Sequence, residues 1–355
     1  MKSNRVKHIF KRVVCFLLIF LLFFTGASML GSAAVFKLLF GRVDTLPAYV
    51  EIPYDSIETE RYPREEISFL SGENRLSGYL YGGGERGLVI VAPGMNSNSE
   101  THLAEIMFFR DSGFSVLAYT GTGFCDSEGD GIVGLQQSKL DLSAALEFAA
   151  ADSRTRDLPV ILYGHSMGGY AAAAVLEEAD EVRGAICVSG FDKPIETMYR
   201  LARRYVGVAA DVEYPFLYWQ SLLIFGGDAD VSAVDSINSV DIPVLIFQGS
   251  EDSVVSEDVS LYSHEDELTN PNVTLISVDE PHRSGHRGVW LSDGAAAYVA
   301  ERQEELERLD SRYEDGIPQP EREAFYSTLD VKKATELDEG FKNRVLELCD
   351  KCLSK

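Results

Sequence analysis

Gly164-His165-Ser166-Met167-Gly168 sets a serine between two glycines, directly behind the apolar run at residues 160–163. This is G-x-S-x-G spacing at a predicted strand-to-helix turn. A turn that sharp holds the serine in a strained backbone conformation and pushes its hydroxyl out above a sheet. A side chain on either glycine would collide with neighbouring backbone. The helix behind contributes free N–H groups and the positive end of its dipole. The chemistry this suits is nucleophilic attack, and a serine hydroxyl attacks only when a base takes its proton.

The base should be a histidine held by a carboxylate, and in this architecture the chain order is Ser, acid, His. "PVLIFQGSEDSVV" supplies Asp252 just past an apolar strand, with Glu251 as the fallback. Of the six histidines, His8 precedes the long apolar stretch, His102 and His165 precede the nucleophile or flank it, and His264 lies between the last two strands. His282 and His286 follow the final strand in "DEPHRSGHRGVW". His286 is preferred, because Gly285-His286 opens into an apolar segment. A developing oxyanion needs two donors. The backbone N–H of Met167, next to the nucleophile, is one. The Met95 N–H, in the loop of "LVIVAPGMNSNS", is the other. No metal site is expected, since H-E-x-x-H spacing is absent. Gly121-Thr122-Gly123 is not a dinucleotide loop, and no cofactor is expected.

Elements must hold these residues in place. "GLVIVA", "SVLAYT", "PVILYG", "GAICVS", "PVLIFQG" and "VTLISV" are short, apolar and rich in β-branched residues. Strands buried on both faces of a parallel sheet read this way. A preceding hairpin, "EISFLS" and "RLSGYLY", turns at Gly72-Glu73-Asn74. Helices are expected over residues 100–112, with a capping box at Ser97 and Glu100, and over 135–151 and 167–179. Strand–helix alternation gives an α/β class with a mostly parallel sheet and helices on both faces. Residues 191–240 interrupt it as an aromatic-rich helical insertion, read as a lid. A domain over 66–313 follows a linker at 41–65, and 314–355 form a helical extension. Its stripe of Leu337, Phe341, Val345, Leu348 and Leu353 should pack on the parent domain. Cys349 and Cys352 read as small residues on that helix, and the five cysteines form no disulfide framework.

The N-terminus differs in kind. Lys2, Arg5, Lys7, Lys11 and Arg12 precede 24 uncharged residues, 13–36. As a helix they would reach about 36 Å, against roughly 30 Å of bilayer hydrocarbon. Residues 1–40 are therefore expected to be a basic tip and a single membrane span, N-terminus cytoplasmic and the rest extracytoplasmic. The rival is a secretory signal cut near Ser32-Ala33-Ala34. The formal net charge is −24 from 32 basic and 56 acidic residues; seven bases and one acid precede residue 51, leaving the exported part near −30. Such a surface repels phosphates, which excludes a nucleic-acid partner.

On "YGHSMGG", "QGSEDSVV" and "SGHRG" the chain resembles the α/β-hydrolase superfamily, in particular membrane-anchored or secreted bacterial members of the serine-aminopeptidase-like and Bem46-like groups. The resemblance spans about residues 66–310. It implies an α/β-hydrolase fold and a Ser166–Asp252–His286 triad that cleaves an ester or amide in a small molecule or short peptide. "VIVAPGMNSNS" is similar to the family's oxyanion loop, with Pro93-Gly94 where His-Gly is usual. "LAYTGTGFCDSEGD" is similar to its Gly-x-Gly-x-Ser loop, with Thr120 where arginine is common. A peptidase, or a silent surface binding module, is the alternative.

Overall fold

The computed structural model describes residues 2–313 and 316–354; Met1, Lys355, Glu314 and Asp315, the last two opening the expected C-terminal extension, lie outside the described residues. Eight strands form one sheet: β1 (Glu65–Ser71), β2 (Asn74–Tyr81), β3 (Leu88–Ala92), β4 (Ser115–Tyr119), β5 (Val160–His165), β6 (Val182–Val188), β7 (Val244–Gly249) and β8 (Val273–Val278). Their order is β1-β2-β4-β3-β5-β6-β7-β8. The β1–β2 and β2–β4 pairs are antiparallel, and all later pairs are parallel.

Period-two alternation explains the two-sided burial. Leu88, Ile90, Leu162, Cys187 and Ile246 face one layer, with α3 (Gln137–Ala151), α4 (Met167–Ala174) and α7 (Ala233–Asn238). Their sequence neighbours Val89, Val91, Ile161, Ile186 and Phe247 face the other, with α2 (Leu103–Asp111) and α11 (Glu339–Leu353). The central strands carry apolar residues on both faces because both faces are covered. In α11, Phe341, Val345, Leu348, Cys349 and Cys352 are buried against the β6–β7 side of the sheet. Between β8 and α11 run α8 (Asp293–Asp310), α9 (Gln319–Tyr326) and α10 (Val331–Ala334).

Local expectations fail at some helix ends. α2 begins at Leu103, not residue 100, and its N-cap His102 makes no side-chain cap. The capping box does not form, because that loop bonds elsewhere. The Ser99 N–H donates to Thr120 Oγ1 at 3.1 Å, and Glu100 pairs with Arg64 at 2.6 Å. α4 stops at Ala174 and is continued by a 3-10 turn, Leu176–Glu178.

The insertion after β6 is helical. It holds α5 (Pro194–Val206), α6 (Ala209–Phe225) and then α7. At the N-terminus α1 (Lys2–Leu39) is one long helix. It contains an apolar stretch, Lys7–Ala34, long enough to cross a bilayer. Below that stretch the chain is tied to the domain. Phe36 and Phe40 are buried in the core, and Gly41 and Val43 bridge to Gly131 and Phe124.

Candidate active site

Ser166 stands between β5 and α4 with φ 57° and ψ −119°. An L-residue with φ > 0 outside the αL well is strained, and the surroundings must impose the conformation. Here they do. A Cβ on Gly164 would lie 2.0 Å from the Gly168 carbonyl oxygen, and one on Gly168 would lie 2.1 Å from the Ala92 carbonyl oxygen. The turn thus closes only with glycine at both positions. The Ser166 N–H donates to the Val188 carbonyl at 2.8 Å, which fastens the turn to the end of β6.

The serine hydroxyl meets an imidazole. Ser166 Oγ lies 2.9 Å from His286 Nε2, and His286 Nδ1 lies 2.7 Å from Asp252 Oδ2. Asp252 sits in the loop after β7 and is buried. Its Oδ1 accepts the N–H groups of Val254 and Val255 at 2.8 and 2.9 Å. Its Oδ2 also accepts from Gln248 Nε2 at 3.1 Å, while Gln248 Oε1 accepts the Ser260 hydroxyl at 2.7 Å. These donors stabilise an ionised carboxylate and fix its plane.

The other candidates fall elsewhere. Glu251 accepts the Ser284 hydroxyl at 2.8 Å, and the carboxylate bonded to His286 is that of Asp252. His282 is exposed, with φ 66°. Met167 opens α4, so its N–H has no intrahelical acceptor. Met95 lies in the loop after β3. That loop abuts the serine, since a Cβ on Gly94 would come 3.4 Å from Ser166 Cβ. Among the described residues no three His, Cys, Asp or Glu side chains gather to hold a metal.

Three supports escaped the sequence. Gln248 orients the acid, and nothing in "FQGSED" marks it, because its role arises only when Ser260 and Asp252 converge. Arg42 clamps the loop after β4 through the carbonyls of Cys125, Ser127 and Gly129. His165 lies behind the histidine loop, and its Nε2–H donates to the His286 carbonyl at 2.8 Å. Its ring is 5.0 Å from that of Trp290 and 5.6 Å from that of His102. A cavity of about 280 Å³ lies on this side, lined by His102, His165, Arg287 and Trp290 among others. A larger hollow of about 1190 Å³ lies remote from Ser166, between the linker, α2 and α11.

Burial, and then electrostatic interaction with His286, His102 and Arg287, hold the His165 imidazole well below its usual 6.5. The sign of the consequence follows from proton uptake. Below about pH 6.5 the unfolded chain protonates this residue and the folded chain does not, so stability falls as pH drops. His165→Gln keeps an N–H for the His286 carbonyl and removes the titration. Urea unfolding between pH 7.5 and 5.5 should then show the native protein losing stability faster than the variant. The excess should be at most about 1.4 kcal/mol per pH unit, the limit for one proton. Parallel losses in both proteins would contradict the assignment.

Comparison with known proteins agrees with this architecture. The family model described as "Serine aminopeptidase, S33" matches residues 83–224, which include Ser166 and end before Asp252. The esterase Pf2001 of Pyrococcus furiosus is 18% identical with a TM-score of 0.53, over 76% of this chain and 99% of that one. Acetyl xylan esterase 1 from Thermoanaerobacterium sp. JW/SL YS485 is 16% identical with a TM-score of 0.48, over 68% of this chain and 83% of that one. No curated protein matches the sequence. The likeness to the esterase shows the α/β-hydrolase fold for this chain.

Proposed function

We propose that the protein is a serine hydrolase that cleaves an ester by acyl transfer, with Ser166, His286 and Asp252 as its triad. The observation that carries this is the continuous hydrogen-bond chain from the strained Ser166 through His286 to the buried Asp252. Ser166 Oγ attacks the substrate carbonyl carbon as His286 Nε2 takes its proton. The N–H groups of Met95 and Met167 receive the oxyanion. The tetrahedral species collapses, the C–O bond to the leaving group breaks, and His286 returns the proton to the leaving alcohol. Water, deprotonated by His286, then attacks the acyl-serine and releases the acid. Asp252 fixes the tautomer with the proton on Nδ1 and stabilises the imidazolium.

A peptidase is the second reading, favoured by the serine-aminopeptidase description of the matching family model. Initial rates on a short-chain nitrophenyl ester and on an aminoacyl nitroanilide separate the two. Ester turnover should exceed amide turnover; the reverse order selects the peptidase, and hydrolysis of neither overturns the reaction.

In this reading the domain over 66–313, with its lid at 191–240, is exported. The apolar part of α1 stays in place as its membrane anchor, the linker at 41–65 leads from it, and 314–355 braces the sheet. The length of the apolar stretch supports an anchor. So does the Ser28 hydroxyl, which donates to Glu213 of the insertion.

A further inference from the structure

The insertion carries an apolar surface that the described residues of the domain leave exposed. Along α6 and its N-cap, Val208, Val212, Trp219, Leu222 and Leu223 recur at helical spacing on one side, with Trp219 58% and Leu223 72% exposed. Tyr205, Val206 and Tyr218 extend the patch. A contiguous apolar surface of this kind marks a docking face for protein or lipid.

The anchor decides which. From α1 and the residue after it, Phe24, Ser28, Ser32, Phe36 and Phe40 form a stripe at four-residue spacing, its last four members buried. Its upper part meets α6. The rings of Phe24 and Phe216 approach edge-on at 6.0 Å, and Ser28 Oγ donates to Glu213 Oε1 at 3.1 Å. Phe24 lies 13 residues before Lys37, the first charge after the apolar stretch. That is about 20 Å along the helix. The contact therefore lies well within the hydrocarbon that the stretch spans. Whatever solvates the exposed flank of Phe16 to Phe23 also solvates the flank of α6.

The insertion is tied to the core and to the loop that carries Asp252. Leu217 joins the core, and the Arg204 guanidinium bonds the carbonyl of Ser253, the residue after Asp252. We propose that α6 lies in the bilayer that α1 crosses, and that the lid delivers to Ser166 acyl esters of amphiphiles resident in that bilayer. This rests on the readings of α1 as an anchor and of Ser166 as the nucleophile.

The test uses the full chain in phosphatidylcholine vesicles, with and without bromine on the acyl chains. The protein has two tryptophans. Trp290 lies beside His165, in the domain. Acyl-chain bromine should quench part of the emission, and Trp219→Phe should remove the quenched part. The ratio of rates on a vesicle-borne medium-chain ester and a soluble acetyl ester should fall at least about tenfold in the Leu222→Asp, Leu223→Asp double variant, since two buried leucines are lost from lipid. Unquenched Trp219 or an unchanged ratio overturns the inference. Release of the chain by a carbonate wash overturns the anchor, and the inference with it. Fluorophosphonate labelling reports on the serine separately. A labelled Ser166 with unquenched Trp219 sinks the lid placement alone; a quenched Trp219 with an unlabelled Ser166 sinks the reaction and the substrate class.

Discussion

Ser166→Ala should lower kcat on a soluble ester by about 10⁴-fold or more, while KM and the unfolding temperature change little. The variant removes one oxygen. Without it no acyl-serine forms, and His286 Nε2 loses the hydroxyl 2.9 Å away. What remains is the site's ability to bind and polarise the carbonyl, which accelerates direct attack by water only weakly. Alanine carries the same Cβ, so the strained turn at φ 57° is no easier or harder to close. Steady-state kinetics beside thermal unfolding makes the measurement. Retention of more than a tenth of the activity by a folded variant would contradict the nucleophile.

Asp252→Asn should cost about 10⁴-fold in kcat, from geometry nearly unchanged. The reason lies in the donors around the side chain. The N–H groups of Val254 and Val255 both point at Oδ1, so the asparagine oxygen must take that position. Its NH₂ then occupies the place of Oδ2, facing His286 Nδ1 and the Gln248 amide. Gln248 cannot turn over to accept from it, because its own oxygen holds the Ser260 hydroxyl. The histidine is left with its proton on Nε2, directed at Ser166, and cannot act as a base. The same variant should react with fluorophosphonate far more slowly than the native protein. Near-native turnover would show that the carboxylate is not required to set the tautomer.

The parts of this molecule differ in how openly the sequence states them. The central strands are legible because burial on both faces leaves continuous apolar runs. Ser166 is legible because the elbow's steric demand is local: Gly164 and Gly168 are read from the same five residues that form it. Asp252 and His286 could be nominated by chain order after strands, and the structure brings both to Ser166. What the sequence hides is contact between distant segments. The helix at residue 100 starts three residues late because Ser99 and Glu100 bond Thr120 and Arg64, far along the chain. Gln248 reads as one more strand residue. The union of α1 with α6 joins positions 185 residues apart, Ser28 and Glu213, and no periodicity in either helix announces it.

Activation of Ser166 by His286 is read by exposing the native chain to a fluorophosphonate at neutral pH and mapping the adduct by mass spectrometry. One covalent adduct should form, on Ser166, and His286→Ala should suppress it. An unlabelled Ser166 in the folded native protein would contradict that activation.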